Sequence, residues 1–76
     1  MTEEILDTTG LLCPLPVLKL RKHLKFMKIG DVVAILADDP AAAIDIPHFC
    51  NETGHTLILQ KAIGSCATEY KVRKEI

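Results

Sequence analysis

Cys13 is the residue in this chain with the plainest capacity for chemistry, because of its setting in Gly10-Leu11-Leu12-Cys13-Pro14-Leu15-Pro16. A glycine that can bend the chain precedes it and two prolines follow. Proline has no N–H and a fixed φ, so it opens a helix readily but does not continue inside one. The residues after Pro16, from Val17 to Lys28, read as helix, which puts Cys13 at or just before a helix N-terminus. Unpaired N–H groups and the positive end of the helix dipole favour an anion there. A thiolate is the anion that a cysteine forms, and cysteine pKa falls at such positions. The pattern describes an activated sulfur nucleophile. It also fits a small, semi-buried apolar cysteine beside a turn, since a lowered pKa needs both the helix field and exposure.

The other candidate ligands and nucleophiles are fewer and less pointed. The three cysteines are an odd number with no CxxC pair, and Met1-Thr2-Glu3-Glu4 is acidic where a secretory signal carries positive charge. Together these point away from a disulfide framework and toward a reducing, cytoplasmic setting. Cys50 follows Phe49 in an apolar stretch and is expected in the core. Cys66 follows the turn residues Gly64-Ser65, where it could resolve Cys13 into a disulfide. His48-x-Cys50 is not a usual structural zinc spacing, so no metal site is expected.

Composition narrows the function classes. A chain of 76 residues buries only about 60–65% of its unfolded surface and leaves little room for a walled substrate cavity. Function is therefore expected on a surface, an edge or a single exposed group. The net charge of −1 argues against a general nucleic-acid binder. The longest apolar run, Val32 to Ala37, is far too short to span a membrane.

The elements that must position Cys13 follow from the patterning. Residues 3–8 read as a first strand, and a turn at Thr8-Thr9-Gly10 leads to a helix over 14–28. Val17, Leu20, Leu24 and Met27 form its core stripe, Gly30 its cap, and Lys19, Arg21, Lys22, Lys25 and Lys28 its other faces. Residues 32–37 are continuous and partly β-branched, as in a central strand. Asp38-Asp39-Pro40 opens a second helix over 40–51, which Pro47 should kink or restart. Residues 56–63 and 67–73 read as two further strands around Gly64-Ser65. The order β-α-β-α-β-β predicts one domain over 1–76, an α/β (α+β) two-layer sandwich with a four-stranded mixed sheet and both helices on one face. Cys13 would emerge at the C-terminal edge of the first strand, a common place for function in such folds.

Around Cys13, Asp7 is placed to accept backbone N–H groups of the turn, or is an ordinary strand-end aspartate. Asp39 either caps the second helix or meets a partner's basic group. Arg21 and Lys25 are spaced i,i+4 and share a face, either for docking an acidic partner or as a solvated basic surface.

Asp7-Thr8-Thr9-Gly10-Leu11-Leu12-Cys13-Pro14-Leu15-Pro16 resembles the signature of the TusA/SirA family, an aspartate, a glycine and then Cys-Pro-x-Pro. The likeness continues through Ala37-Asp38-Asp39-Pro40-Ala41, Asp45-Ile46-Pro47, Phe49-Cys50 and Gly54-His55. It implies the same two-layer fold, with Asp7, Gly10, Pro14 and Pro16 as supports of the motif. It further implies a sulfur carrier that holds sulfur as a persulfide on Cys13, with no other cofactor. The implied partners are a cysteine desulfurase or similar donor and a downstream relay protein. The implied destination is the 2-thiouridine of tRNA, with sulfur oxidation or cofactor synthesis as alternatives. Leu12 and Leu15 depart from members with a basic residue before the cysteine and a polar one between the prolines, so the rim of the thiol is more apolar here. Two other classes stay open on the residues. A regulatory or nucleic-acid-binding domain would lack an aromatic platform, with only Phe26, Phe49 and Tyr70 present. A thiol-disulfide oxidoreductase would lack the second cysteine of CxxC.

Overall fold

The protein is described by a computed structural model, which covers residues 4–76. Its elements run β1 (Glu4–Asp7), α1 (Leu15–Leu24), β2 (Val32–Ala37), α2 (Ala42–Thr53), β3 (Thr56–Ile63) and β4 (Ala67–Arg73). The expected extension of the first strand to Glu3 lies outside the described residues. The sheet has the order β1-β2-β4-β3, with β1 parallel to β2 and the other pairs antiparallel. This is the mixed four-stranded sheet that the patterning predicts. β2 is central, and Val33, Ile35 and Ala37 point to the face that both helices cover.

One core joins the layers. Leu20, Leu24 and Met27 from the first helical segment meet Ile46, Phe49 and Cys50 of α2, over Val33, Ile35, Tyr70 and Val72 of the sheet. Leu20, Ile35, Ile46 and Val72 are fully buried, while Val17 packs against the margin of the cluster. The helical stripe thus falls where its three- and four-residue spacing requires. Of the three aromatics, Phe49 and Tyr70 are buried and Phe26 is exposed.

The first helix is shorter than its pattern. Regular α-helix stops at Leu24, with Lys25 as the cap. The N–H groups of Lys25, Phe26 and Met27 turn back to the carbonyls of Lys22, His23 and Leu24 in tighter i→i−3 bonds. A group distant in sequence meets this end: the Lys74 ammonium donates to the Leu24 and Met27 carbonyls at 2.7 and 2.8 Å. A cation at the carbonyl end of a helix is favourable. Gly30 (φ +94°) therefore does not cap the helix; it turns the chain into β2, and its N–H donates to the Lys74 carbonyl at 2.7 Å. Lys19, Arg21 and Lys22 lie on α1 itself, whereas Lys25 is its cap and Lys28 lies beyond it.

α2 runs through Pro47 as a single helix. Proline removes the N–H that would meet the carbonyl of Ala43, and Ala43 is exposed, so water can satisfy it. Gly54 closes α2 in the left-handed conformation at φ +86°, donating to the Cys50 carbonyl at 2.9 Å.

His55 ties the start of β3 to the end of the chain, its Nδ1 accepting the Glu75 N–H at 3.1 Å. Burial, and then the Lys74 charge, hold its pKa below the ordinary 6.5, against a smaller opposing pull from Glu75. The neutral ring is thus favoured by the fold. This contribution is complete above the unfolded value of 6.5 and is lost as pH falls from there through the lower folded value. His55→Asn, which keeps an acceptor and cannot titrate, is expected to show a shallower fall in urea midpoint between about pH 7 and 5 than the parent. Equal slopes would assign that loss to other groups.

Candidate functional site

The segment between β1 and α1 is fastened from below and from one side. Thr8 is fully buried, and its N–H and hydroxyl both donate to the Leu36 carbonyl at 2.8 and 2.6 Å. Asp7 accepts the Thr9 hydroxyl at 2.7 Å and its N–H at 2.9 Å, and these two bonds hold the Asp7 carboxyl below the usual range. Gly10 turns the chain at φ +84°, a left-handed conformation costly for other residues. Its N–H donates to Asp38 Oδ1 at 2.9 Å. The Cys13 N–H donates to Asp39 Oδ2 at 2.5 Å. Two adjacent aspartates at the end of β2 therefore hold both ends of the Gly10–Cys13 stretch.

Asp39 also accepts the Ala41 N–H on Oδ1 at 3.2 Å, at the entrance to α2. Both of its carboxylate oxygens are thus engaged by backbone of this chain. Pro14 is the cap of α1 and Pro16 is buried at its first turn, with the Leu15 N–H bonded to the Leu12 carbonyl at 2.9 Å. The Cys13–Pro14 peptide bond is cis.

Cys13 is exposed. Its sulfur lies 2.8 Å from Asp45 Oδ2, on the first turn of α2. This overturns the electrostatics expected from the sequence. The Asp45 hydrogen bond, then desolvation, then the charges of Asp45 and Asp39 all push the Cys13 thiol pKa up, not down. The helix offers little to oppose them: two of its opening positions are prolines without an N–H, and the Leu15 N–H is already bonded. The resting group is a protonated thiol donating to a carboxylate.

Cys13 lines a groove of about 470 Å³ between the helices, with Val17 and Arg21 on one wall and Asp45, Phe49 and Glu52 on the other. The Arg21 guanidinium lies 5.7 Å from the centre of the Phe49 ring. Arg21 also borders a second recess, with Lys25, His55 and Lys74, so Arg21 and Lys25 do face one shared surface. Leu12 and Leu15, which flank the motif, are 70% and 44% exposed and give the thiol an apolar rim.

Neither of the other cysteines lines this groove. Cys50 is buried, and burial pushes its thiol up to about 11. Cys66 is exposed in the β3–β4 turn. Among the described residues, no group of three or more His, Cys, Asp or Glu side chains could hold a metal ion. No helix among them is long and apolar enough to cross a membrane.

Sequence reasoning gave Asp38 only a part in the helix opening and left Asp45 without a role at the site. Both lie within the segments that carry the family likeness, but only the fold brings them to Gly10 and Cys13.

Comparison with known proteins adds four findings. A protein from Neisseria meningitidis serogroup A, named as a candidate sulfur carrier, is 50% identical over 58 residues, covering 76% of this chain and 78% of its own. A serogroup B counterpart matches equally. The crystal structure of a SirA-like protein from Desulfitobacterium hafniense superposes with a TM-score of 0.83 over 99% of this chain and all of its own, at 20% identity, and so shares the fold. The family model described as Sulfurtransferase TusA matches residues 4–74, every residue that the sheet, the helices and the Cys13 loop contain, and the chain belongs to that family.

Proposed function

We propose that this protein is a cytoplasmic sulfur carrier: Cys13 takes sulfane sulfur from a donor such as a cysteine desulfurase, holds it as a persulfide, and passes it to an acceptor protein. The observation that carries the reading is an exposed thiol lining the groove between the helices, on a segment tied down at both ends. Thiol exchange needs access and a line of attack on the sulfur, and this placement offers both. Cys13, once ionised, attacks the outer sulfur of the donor persulfide and the donor thiolate leaves. An acceptor cysteine later attacks the outer sulfur on Cys13 and regenerates it. No further catalytic group is needed on a chain this small, because each partner brings its own. By family resemblance, the sulfur is destined for tRNA 2-thiouridine.

The test is incubation with a pyridoxal-phosphate-dependent cysteine desulfurase and L-cysteine, followed by peptide mass mapping. One added sulfur, removed by reductant, is expected on the Cys13 peptide. Sulfur found on the Cys66 peptide alone would overturn the assignment.

Arg21 and Lys25 supply a positive surface beside the groove for an acidic donor. Reversing both charges to glutamate is expected to slow loading severalfold at low salt and to flatten its salt dependence. An unchanged loading rate would leave these side chains a role in solubility alone.

A further inference from the structure

The hydrogen bond from Cys13 to Asp45 lies in the lining of the inter-helix groove and joins the loop before α1 to the first turn of α2. We propose that Asp45 is a positioning residue that acts oppositely on the two states of Cys13: it holds the empty thiol, protonated, against α2, and it turns the loaded persulfide outward to the acceptor. The proposal rests on the carrier reading above and adds to it how one small chain can be quiet when empty and presented when full.

In the empty state Sγ–H donates to Asp45 Oδ2 at 2.8 Å. The charged groups facing this point are unfavourable to a thiolate. Asp39 lies on the β2–α2 side, Asp45 and Glu52 on α2, and Arg21 on α1 is drawn over the Phe49 ring. His48 is paired with Glu52 at 3.4 Å. The raised pKa of the thiol agrees with this geometry. Empty carrier therefore resists stray electrophiles, although it is exposed.

Loading reverses the contact. The thiol proton passes to solvent, and Sγ attacks the outer sulfur of a donor R–S–SH. The Sγ–S bond forms, the donor S–S bond breaks, and the electron pair leaves on R–S⁻. The hydrogen stays on the transferred sulfur, and there is no net oxidation or reduction. Sγ then has no proton to donate, so the short approach to Asp45 sets lone pairs against a carboxylate. The outer sulfur is more acidic than a thiol and ionises readily. As an anion beside Asp39 and Asp45, it is repelled from the groove and turned to solvent.

The test uses the full chain in a Cys66→Ser background, so that Cys13 is the exposed thiol read. Empty and loaded forms are alkylated with iodoacetamide across pH, and loading uses inorganic polysulfide, so that the assay does not depend on any enzyme donor. Asp45→Asn keeps an acceptor and removes the charge. Relative to the parent, it is expected to raise the alkylation rate of the empty form severalfold at neutral pH, with its profile moved to lower pH, and to lower the rate of the loaded form. Asp45→Glu should return both rates toward the parent. Asp45→Ser repeats the charge removal should asparagine disturb α2. Coincident empty-form profiles, or both states shifting in the same direction, would overturn the proposal. A parent chain that loads from polysulfide but never from a desulfurase would instead count against the donor named above.

Discussion

Cys13→Ser is expected to melt like the parent protein and to accept no sulfur. The substitution changes one exposed atom. The backbone N–H of residue 13 can still reach Asp39, and a serine hydroxyl can still donate to Asp45, so both ties that place the residue survive. Surface changes of this kind usually stay within about 0.5 kcal/mol. The chemistry, in contrast, is removed entirely, because an alcohol neither ionises near neutral pH nor exchanges with a persulfide. A thermal melt reads the first effect, and intact mass after treatment with a desulfurase and cysteine the second. Sulfur uptake equal to that of the parent would move the site to Cys66, the other exposed thiol.

Leu20→Ala is expected to have the largest effect on stability. Leu20 is fully buried in the cluster that joins α1 to α2 and the sheet. Truncating such a side chain costs about 2–5 kcal/mol, the upper end applying where the surroundings cannot collapse. The whole stability of a domain of 76 residues is of order 4–11 kcal/mol. Urea unfolding should therefore show a midpoint lowered by roughly a fifth or more, with the slope unchanged. Leu18→Ala is the control on the same helix: Leu18 is 48% exposed and should shift the midpoint little. Equal effects at the two positions would mean that α1 presents a different face to the sheet.

The reach of sequence reasoning divides along contact distance. Periodicity located the six elements, and the stripe Leu20, Leu24 and Met27 identified the buried face of the first helical segment, because both depend on neighbours a turn apart. The end of α1 at Leu24 was not legible, and the group that meets its last carbonyls, Lys74, comes from the other end of the chain. Nor was the protonation of Cys13. Local sequence supplies a helix N-terminus, while the deciding group, Asp45, arrives from another helix and carries the opposite effect. The Asp-Asp-Pro segment did signal a helix opening, yet the second duty of Asp38 and Asp39, gripping Gly10 and Cys13, exists only once β1 lies beside β2.

The paired aspartates at the end of β2 have a consequence for binding. A segment held by its own fold has little freedom left to surrender when a partner arrives, which lowers the ordering cost of association. A courier that must visit two hosts in turn gains from this. Each complex can be brief and weak, and the cargo is still presented in one geometry to both.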